Sequence, residues 1–148
     1  MTDITILVVE DDPDHLELTV DALAQCCPRE CIATAPDGVE ALDFLLGRAA
    51  HAERDVRRQP RLVLLDMKLL RMHGVEVLRA MRADPCTRSV PVVMLSASTD
   101  KEALDACYDA GANSVVRKTS DRDELRHKMR QVHDFWITVN EGDRHSRV

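Results

Sequence analysis

Asp66 stands at the end of the apolar run RLVLLD, where nothing about a buried strand explains a carboxylate. Val63, Leu64 and Leu65 read as a strand covered on both faces. Burying the acid that follows costs several kcal/mol unless a cation or hydrogen bonds compensate it. The chain carries such partners at similar places. Glu10, Asp11 and Asp12 close the run ITILVVE, Ser96 closes PVVMLS, and Lys118 closes NSVVRK. Three or four carboxylates in one place need a cation. An oxygen-rich, partly hydrated cluster with one or two direct carboxylates suits Mg2+ better than zinc. Lys118 adds a second point charge and Ser96 a hydroxyl donor. A metal, a lysine and a hydrogen bond are what a phosphoryl group on Asp66 requires.

The elements between these residues must bring them to one edge. ITILVVE, CIATA, RLVLLD, PVVMLSA and NSVVRK predict five strands. Helices are expected between and after them. The first is DDPDHLELTVDALAQC, with Pro13 in its first turn and Leu16, Val20 and Leu23 on one face. PDGVEALDFLLGRAA presents Val39, Leu42, Leu45 and Leu46, and GVEVLRAMRAD presents Val75, Val77, Leu78 and Met81. STDKEALDACYDAG stops at Gly111, and SDRDELRHKMRQVHDFWITV carries Leu125, Met129, Val132 and Trp136 at helical spacing. The polar stretch AERDVRRQP reads as an exposed connection. Strands alternating with helices predict an α/β, doubly wound, five-stranded parallel sheet with five helices. Such sheets bind ligands outside the carboxyl ends of their strands, near the switch in strand order.

A length of 148 residues suits one domain with a real core. Hydrophobic residues make up 45% and charged residues 31%, and no apolar run approaches the roughly 20 residues of a membrane span. MTDITILVVEDD has no basic segment ahead of its apolar run, so a secretory leader is not expected and a cytoplasmic location is. The odd count of five cysteines favours reduced thiols. CCPREC lacks zinc spacing, and its cysteines read as small buried hydrophobes. A net charge of −6 argues against a nucleic-acid partner. From Asp121 onward six Lys or Arg balance six Asp or Glu, and nothing beyond residue 140 has the size of a DNA-binding domain.

With these residues in place, the sequence resembles the receiver domain of two-component response regulators over residues 4 to about 133. The likeness rests on VVEDD, LLDMKLLRMHG, VVMLSAS and GANSVVRK, in order at the ends of the first, third, fourth and fifth strands. RRQPRLVLLD and VHDFWITV further resemble the single-domain regulators that partner phytochrome-type histidine kinases. The resemblance implies a flavodoxin-like fold with strand order 2-1-3-4-5. It implies a receiver domain at 1–133 and, at 134–148, an extension of the last helix and tail with no output domain. It implies that Asp66 takes a phosphoryl group from a kinase phosphohistidine, making the protein a phosphoacceptor that assists its own phosphorylation and dephosphorylation rather than an ordinary enzyme. Asp11, Asp66 and the backbone carbonyl of Lys68 would bind Mg2+, with Glu10 acting through water. Lys118 would pair with Asp66 and then with the phosphoryl oxygens. Ser96 would move to the phosphoryl group and bias the face of the fourth helix, fifth strand and fifth helix.

Some positions depart from the family's common pattern. Leu70 and Thr119 stand where Pro is frequent, His73 where an acid is, and Val115 where a switch aromatic is. Without a ring at 115, a readout by tyrosine rotation cannot operate. A cis bond before a residue other than Pro costs about 2.5–4 kcal/mol, which leaves the peptide geometry after Lys118 open. Lys68 and Ser98, at positions that tune water access, offer no acid or amide to direct a water, so fast self-hydrolysis is not expected. His15 and His73 lie near the site edge and read as exposed histidines. Aromatic residues are 3% of the chain, yet Phe135 and Trp136 are adjacent and point about 100° apart on a helix. The bland reading packs one ring inward and the other over the sheet edge, and the favoured one makes Phe135 and Trp136 a homodimer contact on the switch face. The competing reading is a degenerate receiver that acts as a phosphorylation-independent interaction module. A haloacid-dehalogenase-type phosphatase would need a second acid where Lys68 stands, and a dinucleotide fold would need a glycine-rich turn after the first strand.

Overall fold

The apolar runs pair side by side in one parallel sheet: β1 (Ile6–Val9), β2 (Ile32–Ala35), β3 (Leu62–Asp66), β4 (Val92–Ser96) and β5 (Ser114–Arg117), in the order β2-β1-β3-β4-β5. The computed structural model describes residues 3–142. Positions 1–2 of the expected domain and 143–148 of the expected tail lie outside the described residues. Side chains alternate across a strand, so each central strand feeds two cores. Leu7, Val9, Val63, Leu65, Val92 and Met94 pack under α2 (Gly38–Leu46), α3 (Gly74–Ala83) and α4 (Lys101–Ala110). Ile6, Val8, Leu62, Leu64, Val93 and Leu95 pack under α1 (Pro13–Leu23) and α5 (Arg122–His133). Burial on both faces is why these strands read as unbroken apolar runs.

Aspartates start four of the helices. Asp12, Asp37, Asp100 and Asp121 each accept a backbone N–H of the first turn. The inward face of α1 is rotated from the expected stripe. His15, Thr19, Ala22 and Leu23 are the buried residues, while Leu16 and Val20 are only partly covered. α2 ends earlier than expected, at Gly47 in the left-handed region (φ 65°), and a 3-10 turn follows at Ala49–His51. The connection 52–60 is exposed at Ala52, Glu53, Asp55, Arg57 and Arg58, as its charges suggest, but two of its side chains turn inward. Gln59 is buried and donates to Leu45 O and Val56 O, and the Arg54 guanidinium lies 3.7 Å over the Phe44 ring and donates to Phe44 O. The orphan carbonyls at the end of α2 explain the inward turn, since a nearby guanidinium and amide satisfy them.

Two further points bear on the site. Arg82 of α3 donates to Gly111 O, Val90 O and Arg88 O and to Asn113 Oδ1, tying the end of α4 to the end of α3. The last helix does not run unbroken to residue 139. α5 ends at His133, and Asp134–Val139 form wider π-helical turns in which Asn140 N–H donates to Phe135 O, five residues back. Trp136 and Ile137 of these turns pack against the α1–α5 core. Among CCPREC, Cys26, Cys27 and Cys31 are half-buried rather than core.

Gly74 opens α3 directly against the strand that ends in Asp66, and a Cβ there would collide with Asp66 O and the Met67 backbone. Gly74→Ala is expected to destabilise the fold by about 1–3 kcal/mol, read as a lower urea midpoint. An unchanged midpoint would contradict this close packing.

Candidate functional site

Strand register brings the chemistry to one edge. Val9 of β1 is level with Leu65 of β3, so Glu10 and Asp11, just past β1, sit beside Asp66. Ser96 ends β4 level with Arg117 of β5, and Lys118 follows. The chain reverses its direction across the sheet at β1 and β3, the place where open α/β sheets leave a crevice. Carboxylate oxygens of Glu10, Asp11 and Asp66 lie within 4.8 Å of one another. Lys118 Nζ is 2.9 Å from Asp66 Oδ2 and, in close ion-pair contact, 2.6 Å from Glu10 Oε1. Glu10 is 1% exposed and Asp66 4%. A groove of about 760 Å³ opens beside them, lined by Lys68, Ser96, Ala103 and Ala106 among others.

The structure thus brings together Glu10, Asp11, Asp66, Ser96, Lys68 and Lys118, while Asp12 serves as the cap of α1. Lys68 N–H donates to Asp66 Oδ1 at 3.4 Å. The Ser96 hydroxyl is 2.5 Å from Ser98 O and 3.4 Å from Met67 Sδ, and so is directed at its own loop. Lys118 N–H donates to Ser96 O at 2.8 Å, which ties the lysine to the serine strand. Its peptide to Thr119 is trans, as are all peptides among the described residues. Phe135 and Trp136 are not part of this site. Phe135 is 48% exposed, and Trp136 rests partly on the α1–α5 core, with the rings edge to face at 4.9 Å.

His15 is a correction to the sequence reading. Instead of an exposed histidine at the edge, it is 7% exposed. Its Nδ1 is 3.0 Å from Glu10 Oε1, and its Nε2–H donates to Thr119 O at 3.0 Å. The available signal was its spacing, four residues before Thr19 and eight before Leu23, which marks the inward stripe of α1. His73 is exposed, as expected.

The charges are strongly coupled in direction. Burial pushes the Asp66 carboxyl up to about 6, with the Glu10 carboxylate adding to the rise and Lys118 opposing it. Burial also works to raise Glu10, but hydrogen bonds with His15, Asp66 and Lys118 hold it well below the usual carboxylate range. Burial and the neighbouring Glu10 raise Asp11. For Lys118 burial acts downward, and the two carboxylates outweigh it and raise it. Glu10 raises His15 against the opposing effect of burial. Three crowded carboxylates offering only oxygen donors fit a hard divalent cation.

With its carboxyl raised, Asp66 keeps a proton in the folded state that the unfolded chain has lost, so stability falls as pH rises between the two values. Without metal, Asp66→Asn is expected to raise Tm at about pH 8, and the gain should shrink toward about pH 5, where the native carboxyl is itself protonated. An equal gain at both pH values would overturn this account of Asp66.

Known proteins resemble this chain in sequence and fold. Residues 6–130 match the response regulator receiver domain. The chain is 33% identical over 135 residues to the Probable methanogenesis regulatory protein FilR2 of Methanothrix harundinacea, covering 91% of this chain and 84% of that protein. Among solved structures, the phosphorylated cyanobacterial phytochrome response regulator RcpA superposes with a TM-score of 0.86 at 28% identity, over 95% of this chain and 99% of that one. The bacteriophytochrome response regulator AtBRR superposes with a TM-score of 0.73 at 37% identity, over 95% of this chain and 100% of that one. By sequence and by fold, the chain belongs to the response regulator receiver domain family.

Proposed function

We propose that this response regulator takes a phosphoryl group on Asp66 from a phytochrome-type histidine kinase and signals through the face of α4, β5 and α5. One observation carries the reading: the Lys118 ammonium sits 2.9 Å from Asp66 Oδ2 inside a cluster of three carboxylates at one sheet edge. A carboxylate oxygen of Asp66 attacks phosphorus as the P–N bond of the phosphohistidine breaks. The bonding pair leaves on the imidazole and an acyl phosphate forms. Lys118 pairs with Asp66 before transfer and with the phosphoryl oxygens after it. Ser96 gives up Ser98 O to donate to the phosphoryl group, and the loop after β4 shifts with it. In this way the protein assists its own phosphorylation and dephosphorylation. Asp11, Asp66 and the Lys68 carbonyl would hold Mg2+, with Glu10 acting through water. When bound, the ion supplies positive charge against the charge developing on the phosphoryl oxygens.

The likeness to RcpA and AtBRR supports a phytochrome-type kinase as the donor. We place the receiver domain at 1–133 and an extension at 134–148. A cytoplasmic location suits such a donor, and no helix among the described residues is long and apolar enough to cross a membrane. The second partner is another copy of this chain. Supporting this, β5 is an edge strand, and a groove of about 740 Å³ beside it is lined by Val115, Val116, Val132, Phe135 and Trp136. An open strand edge next to exposed aromatic surface favours association.

Intact-protein mass after incubation with Mg2+ and acetyl phosphate tests the chemistry. One added phosphoryl group is expected in the wild type and none in Asp66→Asn. Addition to both would overturn Asp66 as the acceptor, and addition to neither even with a phosphohistidine donor would favour a phosphorylation-independent module. For the partner, Phe135→Glu is expected to turn a dimer into a monomer in sedimentation velocity, and a dimer that survives the change would refute the assignment of Phe135.

A further inference from the structure

The acid cluster accounts for Asp66, Asp11 and Lys118, but a buried imidazole at its rear has no part in the chemistry above. His15 belongs to the first turn of α1, yet Nε2 reaches 3.0 Å to the carbonyl of Thr119 in the connection between β5 and α5. Its other nitrogen, Nδ1, is 3.0 Å from Glu10 Oε1 and 3.5 Å from Thr19 Oγ1. These two main contacts have Lys118 in common. Thr119 is the residue that follows Lys118, and Glu10 Oε1 is the oxygen against which Lys118 Nζ rests at 2.6 Å. A lysine ammonium rides on four flexible methylenes. Where it stands is decided by the backbone that anchors it and by the anions that receive it.

The anchor is held on both sides. The Thr119 side chain accepts from Asp121 N at 3.1 Å and donates to Glu124 Oε2 at 3.3 Å, which ties it to the start of α5. Among the described residues, its carbonyl is tied to α1 only through His15. The receiving anion is held as well: Glu10 Oε2 accepts from Asp12 N at 3.2 Å, and His15 meets Oε1. One ring therefore braces both ends of the lysine.

Resting on the phosphoacceptor reading of Asp66, we propose that His15 is a positioning residue for phosphoryl transfer, bracing the Lys118 backbone through Thr119 and the Lys118 ammonium through Glu10. His15 touches neither donor nor metal and acts through these two neighbours. Hydrogen-bonded supports of this kind typically contribute about 10- to 100-fold in activity or metal affinity.

The test uses the whole chain and two readouts. One is the rate of Asp66 phosphorylation by acetyl phosphate at saturating Mg2+. The other is metal-free amide hydrogen exchange across residues 118–121. His15→Ala is expected to slow phosphorylation by about 10-fold or more and to speed exchange in that segment. His15→Gln, whose amide nitrogen can stand where Nε2 stood and donate to Thr119 O but which leaves Glu10 without the second contact, should restore the exchange protection and part of the rate. Leu16→Ala, a neighbour on the same helix that lacks these contacts, serves as the packing control and should lower Tm without the rate loss. Wild-type rates and exchange in His15→Ala would overturn the proposal and leave Asp66 as phosphoacceptor. Equal rate loss in His15→Ala, His15→Gln and Leu16→Ala would overturn it in favour of a packing role. A wild type that takes no phosphoryl group would overturn the underlying reading, and the proposal with it.

Discussion

The contact between Lys118 and the paired acids Glu10 and Asp66 is the constraint around which this fold is arranged. A carboxylate at the end of a strand covered on both faces is costly, and two of them side by side are worse. The sheet answers by setting β5, which delivers the lysine, at one side of β4, and β1, which delivers Glu10, at the other side of β3. The arrangement is unbalanced. Lys118 meets two of the three carboxylates, and burial, with the Glu10 carboxylate adding to it, still raises the Asp66 carboxyl to about 6. On the proposed function, that crowding would make the site receptive to a cation, and a cation would in turn favour the charged Asp66 that attacks phosphorus. Affinity for metal and reactivity toward phosphorus would then share one electrostatic origin.

Much of this was legible in the sequence because it rests on local pattern. Unbroken apolar runs marked the central strands, and the residues that ended them were the residues of the site. Parallel pairing between strands of similar length then had to bring Glu10, Asp66, Ser96 and Lys118 to one edge. What escaped was set by tertiary contact. His15 was hidden because the apolar residues of α1 pointed to a stripe one position away, and only its contacts across to Thr119 and Glu10 show why a polar ring lies inward. Arg54 and Gln59 read as part of a charged, solvated loop, yet they satisfy the end of α2. The widening after His133 depends on where Trp136 and Ile137 find the α1–α5 core, which spacing alone does not reveal.

The two faces of the sheet carry different duties. Under α1 and α5 the core is closed by leucine, methionine and valine. Under α4 the cover is thin. Among the residues of that helix only Cys107 and Ala110 are buried, both in its second half, and the groove beside Asp66 runs beneath its first half. Val115 sits at the margin of the aromatic groove, so an aliphatic side chain takes the place of a rotating ring between the acid site and the edge of β5.

The Arg82 contacts give this asymmetry a mechanical meaning. The guanidinium grips the carbonyl of Gly111, where α4 ends, together with Val90 O and Asn113 Oδ1, and every acceptor is uncharged. Such a joint is insensitive to the charge changes at the acid site and holds only one end of the helix. The other end begins at Asp100, two residues past the Ser98 carbonyl that now receives the Ser96 hydroxyl. On the proposed function, withdrawal of that hydroxyl would act on the end of α4 opposite the Arg82 joint. A small movement at Ser98 would then become a change of angle of the helix about Gly111.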